Sequence, residues 1–284
     1  MPSLDLDLVP ALRTALDNDE LVLHFQPEVD LATGAVVGME ALLRWQHPQR
    51  GLLWPADFLA VADGAGLMPE IGWWVLERCA TELETWRPLP PAADGSRRQL
   101  WVNVAGSQLL QAGFVDRVRR VVTACALPPG VLGLEVTEEG LAAGSRFAAE
   151  LLEDLRSVGV ALALDDFGTW YSSLGTIGEL PFEAVKLDQS FVRGVGSDLE
   201  NDTIVSSVIE LAHAHGVRVV AEGVESWAEG ARLCELGCDR ALGYLFSGPQ
   251  RADAARLMLA HGTGWQGAGR VPVPRERKTL NHLL

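Results

Sequence analysis

The sequence predicts an α/β protein whose parallel strands close into a barrel. Short apolar runs typical of strands alternate with helical patterns through most of the 284 residues, and such alternation favours a parallel sheet wrapped by helices. There is no Gly-rich phosphate loop of the dinucleotide or P-loop type, which favours a closed barrel over an open sheet. The exception is the first pair of strands, which a short turn joins as an antiparallel hairpin.

Composition narrows the class of protein. The chain is 48% hydrophobic and 21% charged, as in a globular protein with one core. It has 23 basic and 38 acidic residues and a net charge of −15, so no nucleic-acid polymer and no membrane is expected as a partner. The cysteines form no CxxC pair and are expected to be free thiols. The acidic N-terminus is unlike a signal peptide and no stretch could span a bilayer, so a cytoplasmic location is expected.

The first part of the chain is predicted to form a helix, the hairpin and two more helices. Leucines recur every four residues near the N-terminus, which is a helical spacing. Pro27 is expected to end the first strand. The predicted elements are helix Leu4–Asp17, strands Leu21–Phe25 and Ala35–Arg44, and helices Pro55–Asp63 and Pro69–Trp86.

From Leu100 onward, strands and helices alternate regularly. Gly159 and Gly216 follow two of the helices, in the position where glycine commonly ends a helix. The predicted elements are strand Leu100–Val104, helix Ser107–Ala124, strand Val131–Val136, helix Ala142–Val158, strand Val160–Leu164, a short helix near Ser172–Ile177, strand Ala184–Leu187, helix Asn201–His215, strand Val217–Ala221, helix Trp227–Leu236, strand Ala241–Phe246 and helix Ala252–Ala260.

The chain is predicted to hold one domain with two appendages. Residues 1–20 are expected to place a helix against the barrel, and residues 21–262 to form the barrel domain itself. From Gly262 the sequence becomes Gly-rich and then basic, so residues 263–284 are expected to be a mobile tail.

Polar side chains stand at or just past the C-terminal ends of most predicted strands. In a barrel these ends meet on one face, which is where active sites lie. Two adjacent carboxylates at the end of a buried strand are costly unless a cation meets them. The polar residues in question are Glu40, Asn103, Glu135, Glu138, Asp165, Asp166, Lys186, Asp188 and Glu222.

The mixture of side chains indicates the chemistry. Each residue alone has an ordinary explanation as a solvated carboxylate, a satisfied amide or a surface ion pair. These explanations do not account for the occurrence of all of them at one face. Carboxylates with one amide suit Mg²⁺ or Mn²⁺ rather than zinc. Several acids in one site suggest two ions, as in sites for phosphoryl substrates. The residues therefore predict a metal-dependent phosphohydrolase and leave its substrate open.

The motifs at these positions resemble the EAL family, the cyclic di-GMP phosphodiesterases, from about Leu12 to Pro249. The resemblance implies a modified TIM-type (β/α)8 barrel with an antiparallel first strand. It also implies hydrolysis of cyclic di-GMP to linear pGpG by a water that two metal ions activate. The motifs are Phe25-Gln26-Pro27, Glu40-Ala41-Leu42-Leu43-Arg44, Val102-Asn103-Val104, Glu135-Val136-Thr137-Glu138, Asp165-Asp166-Phe167-Gly168-Thr169, Lys186-Leu187-Asp188, Ala221-Glu222-Gly223-Val224-Glu225 and Gly237-Cys238-Asp239.

The resemblance also implies a role for each matching residue. Catalytic roles fall to Lys186, Glu222 and Asp166, the first two positioning and activating the water. The implied ligands of two Mg²⁺ or Mn²⁺ ions are Glu40, Asn103, Glu135, Asp165 and Asp166, with Asp165 bridging the ions. Substrate contacts fall to Gln26, Leu42 and Arg44, of which Arg44 would meet a phosphate. Glu138 would anchor the loop after Asp166, and Asp188 would support the ligands from behind.

Further expectations concern ions and partners. Ca²⁺ should bind but inhibit, because its larger and looser coordination shell misplaces the water. A homodimer is expected, since the loop after Asp166 lies near the usual dimer contact of the family. Because the sequence shows no sensor domain, regulation is expected to come from an upstream sensor or regulatory protein, from the tail, or from a part of the protein outside this sequence.

Two positions depart from the family pattern. Trp170 stands where the family usually has Gly, and Leu242 stands where it usually has Gln, two residues before Tyr244. Neither change removes a metal ligand. They keep a second interpretation open, in which the chain is a weak or inactive EAL module that binds cyclic di-GMP or a partner protein as a receptor.

Overall fold

The computed structural model describes residues 8–92, 95, 97–142, 148–168 and 176–261. Its strands are β1 (Leu21–Asp30), β2 (Val36–His47), β3 (Gly51–Leu53), β4 (Gln99–Asn103), β5 (Leu132–Thr137), β6 (Ala161–Phe167), β7 (Ala184–Leu187), β8 (Arg218–Ala221), β9 (Arg240–Ala241) and β10 (Gln250–Arg251). Its helices are α1 (Leu8–Ala15), α2 (Pro55–Gly64), α3 (Met68–Trp86), α4 (Gly106–Leu109), α5 (Phe114–Ala124), α6 (Glu138–Ala142), α7 (Ala148–Val158), α8 (Thr176–Glu179), α9 (Gln189–Val192), α10 (Leu199–Ala214), α11 (Trp227–Glu235) and α12 (Ala252–His261).

The strands form a closed barrel of eight, which confirms the predicted fold class. The sheet order is β10-β1-β9-β8-β7-β6-β5-β4-β2-β3, and an additional β1–β2 pairing closes the ring. β3 and β10 are short strands that are not among the eight of the barrel; β3 pairs with β2, and β10 pairs with β1 on the same side as β9. β1 runs antiparallel to both of its barrel neighbours, β2 and β9, while the other barrel strands pair in parallel. The fold is therefore a modified TIM barrel with a reversed first strand.

The opening hairpin is longer than its sequence suggests. The expectation that Pro27 ends the first strand is wrong, because β1 continues through Pro27, which pairs with Met39. On its other side, β1 pairs with β10 only at His24 and Phe25 and with β9 only at Val29 and Asp30. Pro27 thus lies in the gap between these partners, where a missing backbone N–H interrupts no ladder.

Two predicted helices have different bounds in the structure, and one of them is divided. The expected helix Ser107–Ala124 is broken between α4 and α5, where Gly113 has a φ of 81° that continues no right-handed helix. Of the expected helix Ala142–Val158, the structure describes α7 (Ala148–Val158), and α6 begins earlier than predicted, at Glu138 directly after β5. Residues 143–147 lie outside the described residues. Short helices at the ends of strands are hard to anticipate, because four or five residues carry little periodicity.

The prediction of the last strand is mostly wrong. Only Arg240 and Ala241 pair as β9 in place of the expected Ala241–Phe246. A Cβ atom at Gly243 would lie 2.0 Å from the carbonyl oxygen of Val224, so the chain there passes directly against the segment after β8. Leu242 and Leu245 exchange backbone hydrogen bonds with Val224 instead of extending the strand. β3, α9 and β10 were not anticipated from the sequence.

The barrel interior is filled below the site by one large side chain and several small ones. Trp101 is buried inside the ring, and the Cβ that Gly133 lacks would lie 2.1 Å from its Cε3 atom. Around the indole lie Ala161, Ala163, Ala184, Val220 and Leu242. The small residues leave room for the indole, so the interior is packed rather than open.

A buried polar group occupies the opposite end of the barrel. The guanidinium of Arg240 donates to Glu28 at 2.6 Å and to Gln99 at 3.0 Å. Both partners are buried, which is the usual state of a charge that is kept out of water. This group lies at the N-terminal ends of the parallel strands and takes no part in the candidate site.

Outside the barrel, α1 packs its Leu8, Leu12 and Ala15 into the core, and α2 is its neighbour. Residues 1–7 and 262–284 lie outside the described residues, so the boundaries at residues 20 and 262 stay predictions. None of the helices among residues 8–261 that the structure describes is long and apolar enough to cross a membrane.

Candidate active site

A bulge in β6 brings two adjacent carboxylates to the same place. Neighbouring residues of a regular strand point to opposite faces, but the β6–β7 register shifts between Leu164 and Phe167. Asp166 has a φ of 54° there, and its backbone N–H donates to Asp165 Oδ1 at 2.9 Å. Oxygens of Asp165, Asp166 and Glu222 consequently lie within 4.8 Å of one another. Asp165 and Asp166 therefore offer oxygens to a candidate metal site, and Glu222 lies beside it.

Lys186 lies among four buried or half-buried carboxylates. Its Nζ atom is 2.6 Å from Glu222 Oε1, 2.7 Å from Glu135 Oε1, 3.2 Å from Glu40 Oε2 and 3.9 Å from Asp165 Oδ1. The residues come from β7, β5, β2 and β6 and from the end of β8. The structure thus brings together the predicted ligands and the predicted catalytic lysine at the C-terminal mouth of the barrel.

The carboxylates carry more negative charge than one ammonium group can balance. Burial raises the pKa of Glu135 and Asp165 well above the usual range, and the neighbouring carboxylates add to the shift. Burial also raises the pKa of Glu40. For Lys186, burial alone would lower the pKa, but the surrounding carboxylates raise it well above its usual value. Lys186 therefore holds its proton and acts as a hydrogen-bond donor.

Glu135 has unused acceptor capacity. Its side chain is 0% exposed, and within the described part of the chain neither carboxylate oxygen accepts a hydrogen bond of good geometry. Its short contact with Lys186 is an ion pair without that alignment. A buried carboxylate with free lone pairs is costly unless a cation or donor meets it, so Glu135 fits the role of a metal ligand.

The remaining predicted site residues lie around this cluster. Asn103 donates to Glu40 Oε1 at 3.0 Å. Gln26, which pairs with Glu40 across the hairpin, donates to the Ser247 carbonyl at 3.3 Å. The Arg44 guanidinium lies 3.8 Å above the Trp54 ring. Sequence reasoning missed Trp54, whose position just before a Pro-initiated helix offered no signal of this contact.

Three residues have more peripheral positions. Leu42 is buried and borders a small cavity that Asn103 also lines. Asp188 caps α9, where its Oδ1 accepts from the Ser190 N–H at 2.8 Å. Glu138 is the first residue of α6, directly after β5. The loop that Glu138 was expected to anchor falls mostly in residues 169–175, outside the described residues, and so does Trp170.

Leu242 is part of the apolar layer beneath the site. It is buried against the group that contains Trp101 and Val220, and its N–H donates to the Ala221 carbonyl at 2.8 Å, beside Glu222. A hydrocarbon side chain offers no hydrogen bond. Leu242 therefore gives Glu222 no polar contact.

The motifs and the geometry agree with a comparison against protein families. The EAL domain model matches residues 10–249. The chain belongs to the EAL family. This EAL domain is 41% identical, over 89% of its length, to an uncharacterised protein of Mycobacterium bovis, of which it covers 40%. It is 38% identical, over 90% of its length, to the bifunctional diguanylate cyclase/cyclic di-GMP phosphodiesterase MucR of Pseudomonas aeruginosa, of which it covers 37%.

A solved structure gives the same result for the EAL fold. The PaMucR phosphodiesterase in complex with c-di-GMP matches with a TM-score of 0.80 and 38% identity, over 88% of this chain and 99% of that one. The EAL domain spans less than half the length of the two curated relatives described above.

Proposed function

We propose that this EAL domain hydrolyses one phosphodiester bond of cyclic di-GMP and releases linear pGpG. The observation that carries the proposal is the cluster of four carboxylates and one lysine at the mouth of the barrel, with contacts of 2.6–3.9 Å to Lys186 Nζ. Support also comes from relatives that are named cyclic di-GMP phosphodiesterases at 38–40% identity.

The residues present fit a divalent-metal site. Glu135 has unused acceptor capacity, and the oxygens of Asp165, Asp166 and Glu222 converge within 4.8 Å. We propose that Glu40, Asn103, Glu135, Asp165 and Asp166 would hold two Mg²⁺ or Mn²⁺ ions, since hard oxygen donors suit these cations. When bound, the ions would supply Lewis-acid chemistry, offsetting the charge of the phosphodiester and lowering the pKa of water.

The protein's own side chains divide the remaining tasks. In the metal-free cluster the surrounding carboxylates raise the pKa of Lys186, so its ammonium group donates a hydrogen bond to Glu40 and offsets negative charge. Glu222 is 21% exposed and 2.6 Å from Lys186, which places a carboxylate at the open side of the cluster, where it can orient a water and accept its proton. Arg44 is buried with its planar guanidinium over the Trp54 ring, and such a group is suited to phosphate.

Incubation of the purified protein with cyclic di-GMP and Mn²⁺, followed by chromatography, tests the proposal. We expect pGpG to accumulate with the wild type. Glu40→Ala should abolish turnover with an unchanged circular dichroism spectrum, because it removes a ligand. Glu139→Ala, an exposed carboxylate on α6, is the matched control and should stay active.

Two results would contradict the proposal. Turnover that persists after thorough chelation would exclude the metal mechanism. Cyclic di-GMP binding without any pGpG would instead favour the receptor interpretation, for which Leu242 is the specific observation, because it leaves Glu222 without one polar contact.

A further inference from the structure

The pairing of β1 with β2 places further residues on the inner wall of the barrel, nearer the mouth than the carboxylate cluster. Gln26 pairs with Glu40, and two residues earlier on β1 His24 pairs with Leu42. Residues two apart on a strand share a face, so His24 and Leu42 form a second row on the inner side. Strand rise places this row about 7 Å above the Gln26–Glu40 row, toward the mouth.

β10 adds a cation to this second row. β10 pairs with β1 near the mouth, and His24 lies directly opposite Arg251. Residues that are directly opposite in an antiparallel pair lie on the same face, so Arg251 is on the inner side with His24. Arg251 is exposed, and within the described ranges it forms no ion pair with a carboxylate.

The environment of His24 agrees with this placement. Burial and the guanidinium groups of Arg44 and Arg251 lower the pKa of His24 to about 4. The imidazole is therefore neutral at physiological pH and does not repel Arg251. Two arginines thus flank one neutral ring at the mouth of a protein whose net charge is −15.

A cyclic dinucleotide carries two phosphodiester groups, and only one can lie at the carboxylate cluster at a time. We propose that Arg251 binds the other phosphodiester, the one that is not cleaved, on the inner wall beside His24. The inference rests on the proposed function and adds to it a residue that would select substrates with two phosphates over those with one.

The test compares two substrates in the presence of Mn²⁺. Cyclic di-GMP has two phosphodiesters and bis(p-nitrophenyl) phosphate has one. The measured quantity is kcat/KM for cyclic di-GMP divided by kcat/KM for bis(p-nitrophenyl) phosphate. For Arg251→Ala we expect this ratio to fall roughly tenfold or more, mainly because the KM for cyclic di-GMP rises. A tenfold change is the usual size of the loss of one charged hydrogen bond. Arg251→Lys should keep most of the ratio, because a phosphate accepts from either cation.

The matched control is Arg256→Ala. Arg256 is on α12, half exposed and 3.6 Å from Glu82, so its loss changes the net charge equally without touching the inner wall. An Arg251→Ala ratio equal to that of Arg256→Ala would overturn the inference while leaving the proposed function intact. Equal losses in Arg251→Lys and Arg251→Ala would also overturn it, since they would indicate planar recognition of a guanine edge. A wild type that neither binds nor hydrolyses cyclic di-GMP would overturn both this inference and the proposed function.

Discussion

Replacing Lys186 with methionine should destabilise the metal-free protein. The same replacement should destabilise the protein much less when Mn²⁺ is bound. Lys186 is 2% exposed and is the cation among four carboxylates at 2.6–3.9 Å. Methionine keeps most of the side-chain volume and removes the charge. In the variant, the carboxylates repel one another with no ammonium group between them.

The expected loss follows from these distances. At an effective dielectric constant of 20, unit charges 2.6 Å apart attract by about 6 kcal/mol. Desolvation of the ions offsets most of this attraction, and loss of one partner from a buried ion pair typically costs about 3–5 kcal/mol. For a chain of this length the melting temperature should fall by roughly 10 °C.

The difference in stability is measured by thermal and urea unfolding of the wild type and Lys186→Met. Each protein is unfolded in EDTA and in saturating Mn²⁺. Divalent cations can replace the lost positive charge, so the difference in unfolding free energy should shrink by half or more in Mn²⁺. Val185→Ala is the control: Val185 is buried on the opposite face of β7, and its cavity should cost about the same in both conditions. An equal loss for Lys186→Met with and without Mn²⁺ would refute the reasoning.

Three more predictions concern pH, ion identity and interior packing. Burial raises the pKa of Glu135 and Asp165 in the folded state, so their protonated forms stabilise the folded protein. This stabilisation is complete below the pKa values of the unfolded chain, near 4. It is lost as the pH rises through the pKa values of the folded state. Urea unfolding in EDTA should therefore give a lower unfolding free energy at pH 8 than at pH 5, and an unchanged or rising value would contradict it. Ca²⁺ should compete with Mn²⁺ in calorimetry yet inhibit pGpG formation, and turnover in Ca²⁺ equal to that in Mn²⁺ would exclude this. Gly133→Ala should lower the free energy of unfolding by about 1–3 kcal/mol and change Trp101 fluorescence, because the added Cβ would lie 2.1 Å from the indole. The control is Gly64→Ala, whose Cβ would have no atom within 4 Å and which should leave the free energy of unfolding unchanged. Equal losses of stability in the two variants would rule out the clash.

Much of the barrel is predictable from the sequence, because its strands are short apolar runs between Gly-terminated helices. The predicted Ala184–Leu187 coincides with β7, and the antiparallel hairpin follows from its short turn. The last strand could not be predicted, since hydrophobic continuity does not reveal that Gly243 passes against Val224. That contact depends on a segment that is distant in the chain.

The site was predictable as a set of residues but not as a geometry. Their position in predicted strands of a barrel indicates that Glu40 and Glu135 belong to the site. Strand periodicity, however, places Asp165 and Asp166 on opposite faces, and only the positive φ at Asp166 brings them together. His24 and Arg251 gave no signal, because their pairing depends on β10, two residues long.

The reversed direction of β1 also determines where the chain enters the barrel. In a barrel whose strands all run in parallel, the first strand begins at the end opposite the active site. Here Val22 pairs with Arg44 at the mouth, and Asp30 pairs with Arg240 at the far end. The segment that leads from α1 into β1 therefore arrives beside the catalytic cluster. A domain joined ahead of α1 would have a direct mechanical route to the mouth and would not need to transmit a signal through the length of the barrel.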